Sequence, residues 1–177
     1  MNTEIRIIGE KNREDIRLPN EPFHIFGRMI PALKDGKWTY SIIEYPEDEI
    51  TEMCFTDYPY DFDPGMRSTV FLGAYDEDQC VGLAVLREDM FRYLYLDDLK
   101  VNAAYRGQGV GKQLIGKCRE IARNRGKIGV YTIAQDNNLN ACRFYLSCGF
   151  EIGGFDNRIY RGTSQEDKAN ILFYIDH

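Results

Sequence analysis

Hydrophobic and polar residues follow their most regular pattern from residue 70 to the end of the chain. Short apolar runs separated by polar or glycine-containing segments are typical of strands. An alternating segment at residues 3–8 predicts one further strand near the N-terminus. The later strands are predicted at residues 70–75, 80–87, 92–101, 128–134, 150–153 and 171–175. Because polar residues 76–79 separate the first two of these, we expect a hairpin there.

Two helices are predicted between these strands. The first covers residues 109–124 and the second residues 139–148, with Asn137 or Asn138 as the N-cap of the second. Three- and four-residue spacings place one apolar stripe on the first helix, formed by Val110, Leu114, Ile115, Cys118, Ile121 and Ala122. A glycine follows each helix as a stop signal, at Gly126 and Gly149.

The segment at residues 19–64 is less regular, with scattered proline and glycine and many aromatic residues, and predicts short helices and loops. From residue 92 onward the order is strand, helix, strand, helix, strand, strand. This order predicts an α/β fold with a mixed sheet covered by helices. The 177 residues suit a single domain over residues 1–177.

Composition narrows the functional classes. Hydrophobic residues make up 44% of the chain, yet no apolar run is long enough to span a membrane. Residues 1–14 are highly charged and lack the apolar core of a signal peptide, so a cytoplasmic location is the expectation. The two histidines, His24 and His177, leave little material for a Ser/His/Asp or Cys/His nucleophile.

The five cysteines are expected to be free. Their number is odd and no pair has the C-x-x-C spacing, so neither a disulfide framework nor a metal site is expected. We expect them to act as small buried hydrophobic residues. They are Cys54, Cys80, Cys118, Cys142 and Cys148.

The net charge of −6 is concentrated in residues 41–63. Such a surface repels nucleic acid and attracts a cationic small molecule, although it is equally consistent with a solvated acidic face. The acidic residues of this stretch are Glu44, Glu47, Asp48, Glu49, Glu52, Asp57, Asp61 and Asp63.

A glycine-rich turn lies between a predicted strand and the first helix. Its three glycines alternate with other residues and allow the backbone to approach a ligand closely. The free N–H groups at the start of a helix bind phosphate, and flanking cations add to this. The turn consists of Arg106, Gly107, Gln108, Gly109, Val110, Gly111 and Lys112. Its spacing fits neither a P-loop nor the G-x-G-x-x-G dinucleotide fingerprint.

The motif Arg106-x-x-Gly109-x-Gly111 resembles the acetyl-CoA signature of the GNAT superfamily of N-acetyltransferases. A second block of that superfamily resembles residues 136–150, including Asn137, Asn140, Ala141, Phe144, Tyr145, Gly149 and Phe150. The resemblance implies an α/β fold with a largely antiparallel mixed sheet, flanked by helices and splayed at its central strands. It also implies an acceptor-side part at about residues 1–69 and an acetyl-CoA-binding core at about 70–177.

Shorter segments resemble streptothricin acetyltransferases within that superfamily. They include Glu21-Pro22-Phe23, Gly27, Ile30-Pro31, Trp38-Thr39, Arg92-Tyr93-x-Tyr95-x-Asp97-Asp98 and residues 135–139. This implies acetylation of the β-lysine amine of streptothricin, a cationic antibiotic. Two alternatives remain open. The acceptor could instead be an amine of a polyamine, an aminoglycoside or a protein, or the chain could be a non-catalytic module that binds acetyl-CoA.

The chemistry implied is attack of an amine on a thioester, and an alkylamine with a pKa of about 10.4 must first lose a proton. Asp97 and Asp98 are the candidates for the base. Strand alternation predicts that they point to opposite faces, and the resemblance favours Asp97. Binding of a cationic substrate, or pairing with Lys100 or an arginine, is an equally open role for both.

The remaining roles follow from the resemblance. Tyr145 is the candidate proton donor to the departing sulfur, and backbone N–H groups at Leu99, Lys100 and Val101 are candidates for oxyanion stabilisation. The expected cofactor contacts are these residues, the glycine-rich turn, Asn137 and Asn140. The candidate acceptor residues are Trp38, Glu44, Asp57, Tyr58, Asp61 and Asp63, with Tyr60 as a further aromatic. A homodimer is also implied.

Overall fold

Regular structure follows the hydrophobic pattern closely from residue 69 onward in the computed structural model, which describes residues 3–63, 65, 68–89 and 91–177. The strands are β1 (Glu4–Ile7), β2 (Phe23–Ile25), β3 (Gly27–Lys34), β4 (Lys37–Glu44), β5 (Thr51–Met53), β6 (Thr69–Asp76), β7 (Gln79–Glu88), β8 (Tyr93–Val101), β9 (Gly129–Gln135), β10 (Glu151–Asp156) and β11 (Asn170–Asp176). The α-helices are α1 (Val110–Asn124) and α2 (Leu139–Ser147). Short 3-10 helices occur at Glu10–Arg17, Glu47–Glu49 and Ala103–Tyr105.

The chain divides into two compact units that are interleaved in sequence. The first unit comprises Met1–Glu21, Cys54–Val130 and Asp176–His177, and the second comprises Pro22–Met53 and Tyr131–Ile175. The predicted α/β class, with a largely antiparallel sheet, is confirmed.

In the first unit the strands are antiparallel and ordered β1, β6, β7, β8. The central strand β7 has a continuous buried run because both of its faces are covered. Gly82 faces α1, where an added Cβ would lie 3.3 Å from Leu114 Cδ1. Leu83 and Val85 belong to a core cluster on the opposite face, formed with Ile8, Ile16, Tyr60 and Phe71.

A β-bulge interrupts the ladder between β7 and β8. Val85 pairs with Asp98, whereas the next residue, Leu86, pairs with Leu96. Asp97 is therefore the extra residue of the bulge, which locally breaks the alternation of side chains along the strand.

In the second unit β11 lies between β9 and β10, and two short ladders pair β2 with β5 and β3 with β4. Helix α2 contributes Leu139 and Cys142 to the buried core. Gly27 of β3 lies against α2, where an added Cβ would be 3.1 Å from Leu139 Cδ2 and in collision with the Ile43 carbonyl oxygen. Glycine is therefore required for this approach.

The prediction of short helices and loops is wrong for residues 23–53, where four strands form with one short 3-10 helix between them. It is right for residues 54–63, which have no regular structure. Residue 64 itself lies outside the described residues. The β3–β4 hairpin turns at Asp35 and Gly36, whose φ angles are 52° and 76°. Two consecutive positive φ angles at Asp-Gly are typical of a type I′ hairpin turn.

All five cysteines are free, as predicted, but they are not all buried. Cys118 and Cys142 are buried, Cys80 and Cys148 are half-buried, and Cys54 is exposed. None of the helices in the described ranges has the length and apolar content needed to cross a bilayer. Among the described residues, no group of three or more His, Cys, Asp or Glu side chains is arranged to hold a metal ion.

Candidate active site

The glycine-rich turn adopts a conformation that an L-residue with a side chain rarely takes. Gly107 and Gly109 have φ angles of 75° and 87°. No heavy atom of the described residues lies within 4 Å of the place where a Cβ would stand on either glycine. The turn is therefore glycine-rich because of its backbone conformation, and the space beside it is open to a ligand.

Helix α1 begins directly after this turn. Gly109 is its N-cap, and no side chain in the described part of the chain caps it. The first N–H groups of the helix consequently remain available at the positive end of its dipole, and exposed Lys112 lies in the first turn. Open space, uncapped N–H groups and a nearby cation fit the pyrophosphate of acetyl-CoA.

Arg106 has a second role that its charge alone does not suggest. Its guanidinium donates to the Val101 carbonyl at 2.9 Å and to the Glu21 carboxylate at 3.0 Å. Glu21 also accepts the backbone N–H of Ala103. Arg106 therefore ties the turn to the end of β8, and Glu21 partly neutralises it. Gln108 closes the turn further by donating to the Ala104 carbonyl at 2.7 Å.

Asp97 and Asp98 do not point to opposite faces, so the prediction from strand alternation is wrong. Both carboxylates lie near the hydroxyl of Tyr60, with Oδ2 atoms at 3.4 Å and 3.3 Å. The bulge at Asp97 is the physical reason, because it rotates the extra residue out of the alternating pattern.

Each of these carboxylates also has a cationic partner. Asp97 Oδ2 lies 2.8 Å from Arg87 Nε, and Asp98 Oδ2 lies 3.2 Å from Lys100 Nζ. Lys100 is only 8% exposed and also lies 3.6 Å from Asp57 Oδ1. We call these five residues, together with Tyr60, the carboxylate cluster; its three acids outnumber its two cations by one charge.

The environment shifts two of the carboxyl groups in opposite directions. Burial raises the pKa of Asp98, and the Lys100 ammonium and the Tyr60 hydroxyl oppose that rise. The backbone N–H of Asn20 lowers the pKa of Asp57 by donating to its carboxylate at 2.7 Å. Asp98 is thus the acid whose charged form the protein interior disfavours.

Helix α2 carries the predicted proton donor. Its N-cap is Asn138, whose side chain accepts the Ala141 N–H at 3.2 Å. Tyr145 is 8% exposed. Its ring packs against Phe144, Phe150 and Phe173 with centroid distances of 5.3 to 5.6 Å. The aromatic contacts fix the ring, while its role as a proton donor stays a prediction.

Asn137 has a buried acceptor that is unused by the described part of the chain. The residue is 6% exposed, and its Oδ1 has no hydrogen-bond partner among the described residues. An unsatisfied buried oxygen is costly, so it fits a site that receives an N–H from a ligand such as the pantetheine arm. Asn140, in the first turn of α2, is exposed.

The candidate acceptor residues do not form one group. Asp57 and Tyr58 belong to the first unit, and the Tyr58 ring lies 5.6 Å from the Arg87 guanidinium. Asp61 and Asp63 line a separate cavity of about 230 Å³, whose other lining residues are Ile7, Ile8, Phe62, Thr69, Val70, Phe71 and Arg125.

Trp38 and Glu44 lie near opposite ends of β4, a separation of roughly 20 Å along a strand. Trp38 pairs with Leu33 across the hairpin, and Glu44 forms a 2.7 Å ion pair with Arg143. These two side chains therefore cannot contact one small substituent of an acceptor together.

Two residues were not predicted from the sequence to belong to this site. Arg87 ends the apolar run of β7 and neutralises Asp97, while Glu21 neutralises Arg106. An arginine that closes an otherwise apolar strand was the available signal for the first. The contact of Glu21 joins residues 85 positions apart and leaves no local signal.

Comparison with known proteins gives consistent results. The sequence profile described as the Acetyltransferase (GNAT) family matches residues 30–150. Streptothricin acetyltransferase A of Bacillus subtilis (strain 168) is 32% identical over 171 residues, which cover 92% of this chain and 94% of that protein. A streptothricin acetyltransferase of Escherichia coli is 29% identical over 67% of each chain.

A crystal structure from Bacillus anthracis strain Ames, in complex with acetyl coenzyme A, has the same fold. It superposes with a TM-score of 0.90 at 27% identity and covers 99% of this chain and 100% of its own. The similarity therefore extends over the whole length and includes both interleaved units.

Proposed function

The chain belongs to the acetyltransferase (GNAT) family and uses acetyl-CoA, and from this premise we propose that it acetylates the β-lysine amine of streptothricin and so confers resistance to it. The observation that carries the choice of acceptor is the carboxylate cluster, in which three acids face two cations. A substrate ammonium would balance the remaining negative charge. The names of two relatives support streptothricin as the source of that ammonium.

Acetyl-CoA supplies the acetyl group as a thioester, and residues of the chain bind it and move the protons. The N–H groups at the start of α1 hold the pyrophosphate, and Gly107 and Gly109 allow the backbone to approach it. The unsatisfied Asn137 Oδ1 accepts an N–H from the pantetheine arm.

Asp97 and Asp98 receive the proton of the substrate ammonium, directly or through a water molecule. The amine nitrogen then bonds to the acetyl carbon as the carbon–sulfur bond breaks. Tyr145 donates its hydroxyl proton to the departing sulfur, and the second proton that the nitrogen loses as the amide forms restores the Tyr145 hydroxyl. Burial favours a proton on Asp98, which suits this carboxylate to accept the proton of the ammonium.

The cofactor and the net charge bear on where the reaction takes place and on the kind of acceptor. An enzyme that consumes acetyl-CoA acts where this thioester is available, so we place the protein in the cytoplasm. The acceptor is a small molecule, because a net charge of −6 opposes binding to nucleic acid. A homodimer stays a prediction, which light scattering of the purified protein tests.

The deciding experiment measures free-thiol release from acetyl-CoA with streptothricin, spermidine, kanamycin and a lysine-containing peptide as separate acceptors. We expect release with streptothricin and the gain of one acetyl group in its mass. If thiol is released only with another amine, that amine is the acceptor, and the proposed acetyl transfer still holds. Tight acetyl-CoA binding without release from any acceptor would overturn the catalytic proposal.

The resistance role has its own test. Cells that express the wild-type chain should grow at streptothricin concentrations that stop cells expressing Tyr145→Phe at the same protein level. Equal growth of the two strains would show that acetyl transfer does not cause the resistance.

A further inference from the structure

The Tyr60 hydroxyl is the one contact that Asp97 and Asp98 share among the hydrogen bonds described above. Its distances to the two Oδ2 atoms are 3.4 Å and 3.3 Å, and the phenol has a single proton to donate. Both carboxylates reach it because the bulge at Asp97 brings them to the same side of β8. Neither aspartate can therefore change its charge without changing the environment of the other.

The body of Tyr60 is held rigidly. The residue is 6% exposed and belongs to the core cluster that includes Ile16 and Val85. Its ring contacts Phe71 edge-on, with centroids 5.6 Å apart. Its backbone N–H donates to the Tyr58 carbonyl at 2.9 Å, which closes a tight turn at Pro59. The hydroxyl is thus positioned by the core before any substrate arrives.

The surroundings keep this phenol protonated. Burial raises the pKa of Tyr60 far above its ordinary value, and the charges of Asp98 and Asp97 raise it further. Tyr60 therefore serves the two carboxylates as a hydrogen-bond donor. The other charged groups around it are Arg87 on β7 and Lys100 on β8, with Asp57 beyond Lys100.

We propose that Tyr60 is a positioning residue for acetyl transfer: its hydroxyl holds Asp97 and Asp98 together as one ionised pair that receives the proton of the substrate ammonium. The inference rests on the proposed function, because only an amine-acetylating enzyme needs that proton acceptor. A donor between two adjacent carboxylates stabilises their charged forms. Without it, their mutual repulsion makes the pair hold a proton at higher pH.

The test compares the pH dependence of kcat/KM for Tyr60→Phe with that of the wild type. The variant keeps the ring and loses only the donor. We expect the acidic limb of the profile to move up by about one pH unit, with a nearly unchanged alkaline plateau. A fall in kcat/KM by the same factor at every pH would show that Tyr60 acts through packing alone and would overturn the proposal.

Tyr75→Phe is the matched control. Tyr75 is also a buried tyrosine on the first unit's sheet, and its hydroxyl donates to the Asp15 carboxylate at 2.7 Å. This substitution removes the same kind of hydrogen bond outside the carboxylate cluster. It should leave the acidic limb in place, and an equal shift in both variants would contradict a specific role for Tyr60.

Two further measurements keep the proposal testable if Tyr60→Phe folds poorly or if no acceptor is found. Site-specific fluorotyrosine at position 60 preserves packing and provides a more acidic phenol, so the acidic limb should move to lower pH. NMR titration of ¹³C-labelled aspartate carboxyls needs no substrate, and it should show coupled titration of Asp97 and Asp98 that Tyr60→Phe displaces upward. Independent, undisplaced titration would overturn the inference whatever the acceptor proves to be.

Discussion

Asp97 and Asp98 are consecutive residues of β8, and both carboxylates lie within 3.4 Å of a single phenol oxygen. We therefore expect Asp97→Asn and Asp98→Asn each to lower kcat/KM by about 10²-fold. The double variant should be little worse than either single one, because the two carboxylates act as a unit. Steady-state thiol-release assays at one pH measure all three. A single variant with wild-type activity would show that only one carboxylate serves the reaction.

A second prediction concerns the glycine-rich turn before α1. Gly109→Ala forces a side chain into a φ of 87° and adds a Cβ to the open space beside the turn. We expect acetyl-CoA to bind about tenfold more weakly, measured by calorimetry, with a stability loss of about 1 kcal/mol.

Gly126→Ala is the control for this change. Gly126 has a φ of 68° at the other end of α1 and is also surrounded by open space. It should show a similar stability loss in thermal unfolding and unchanged acetyl-CoA binding. Equal weakening of acetyl-CoA binding in both variants would mean that general destabilisation explains the first result.

Tyr145→Phe is predicted to separate chemistry from binding. The substitution removes only the hydroxyl and keeps the ring contacts with Phe144, Phe150 and Phe173. We expect kcat to fall about 10²-fold, while the Kd for acetyl-CoA changes little. Tyr160→Phe, which removes a hydroxyl bonded to Gln135 and Asn170, should retain kcat. A wild-type kcat for Tyr145→Phe would show that Tyr145 contributes only its ring packing and not its hydroxyl.

Cysteine reactivity should follow exposure and thiol pKa. Burial raises the pKa of Cys80 to about 11 and those of Cys118 and Cys142 to about 12. A raised pKa keeps these thiols protonated, so at pH 8 the thiolate fraction of Cys80 is about 10⁻³. Exposed Cys54 should therefore react with iodoacetamide ahead of these three, as peptide mass spectrometry will show. Fast labelling of Cys118 would reveal opening of the core beneath α1.

The hydrophobic pattern predicts the second part of the fold well, since its strands and helices are long and regular. The apolar stripe of α1 is buried as expected, and the hairpin of β6 and β7 forms around the predicted polar turn. In the N-terminal part, scattered proline and glycine obscure strands that are short or half-exposed. The Asp35-Gly36 pair was a usable signal, since this dipeptide is typical of a two-residue hairpin turn.

The site was predicted less completely, for a physical reason. Gly107 and Gly109 have positive φ angles, which glycine adopts more readily than other residues. The glycines of the motif therefore indicate this conformation in the sequence itself. The orientation of Asp97 depends on the β-bulge, which arises from the register of pairing between β7 and β8. This register cannot be read from the alternation within β8 alone. The partners Arg87 and Glu21 depend on tertiary contacts that no local spacing encodes.

The interleaving of the two units has a consequence for the order of folding. β1 pairs with β6, and Glu4 lies opposite Tyr75. The segment Pro22–Met53, which belongs to the second unit, separates these two strands in sequence. At roughly 5–20 residues per second, β6 leaves the ribosome roughly 4–14 s after β1. The local hairpin of β6 and β7 closes within microseconds of its synthesis. The first strand to be made therefore waits for its partner, and it joins the edge of a hairpin that later residues have already built.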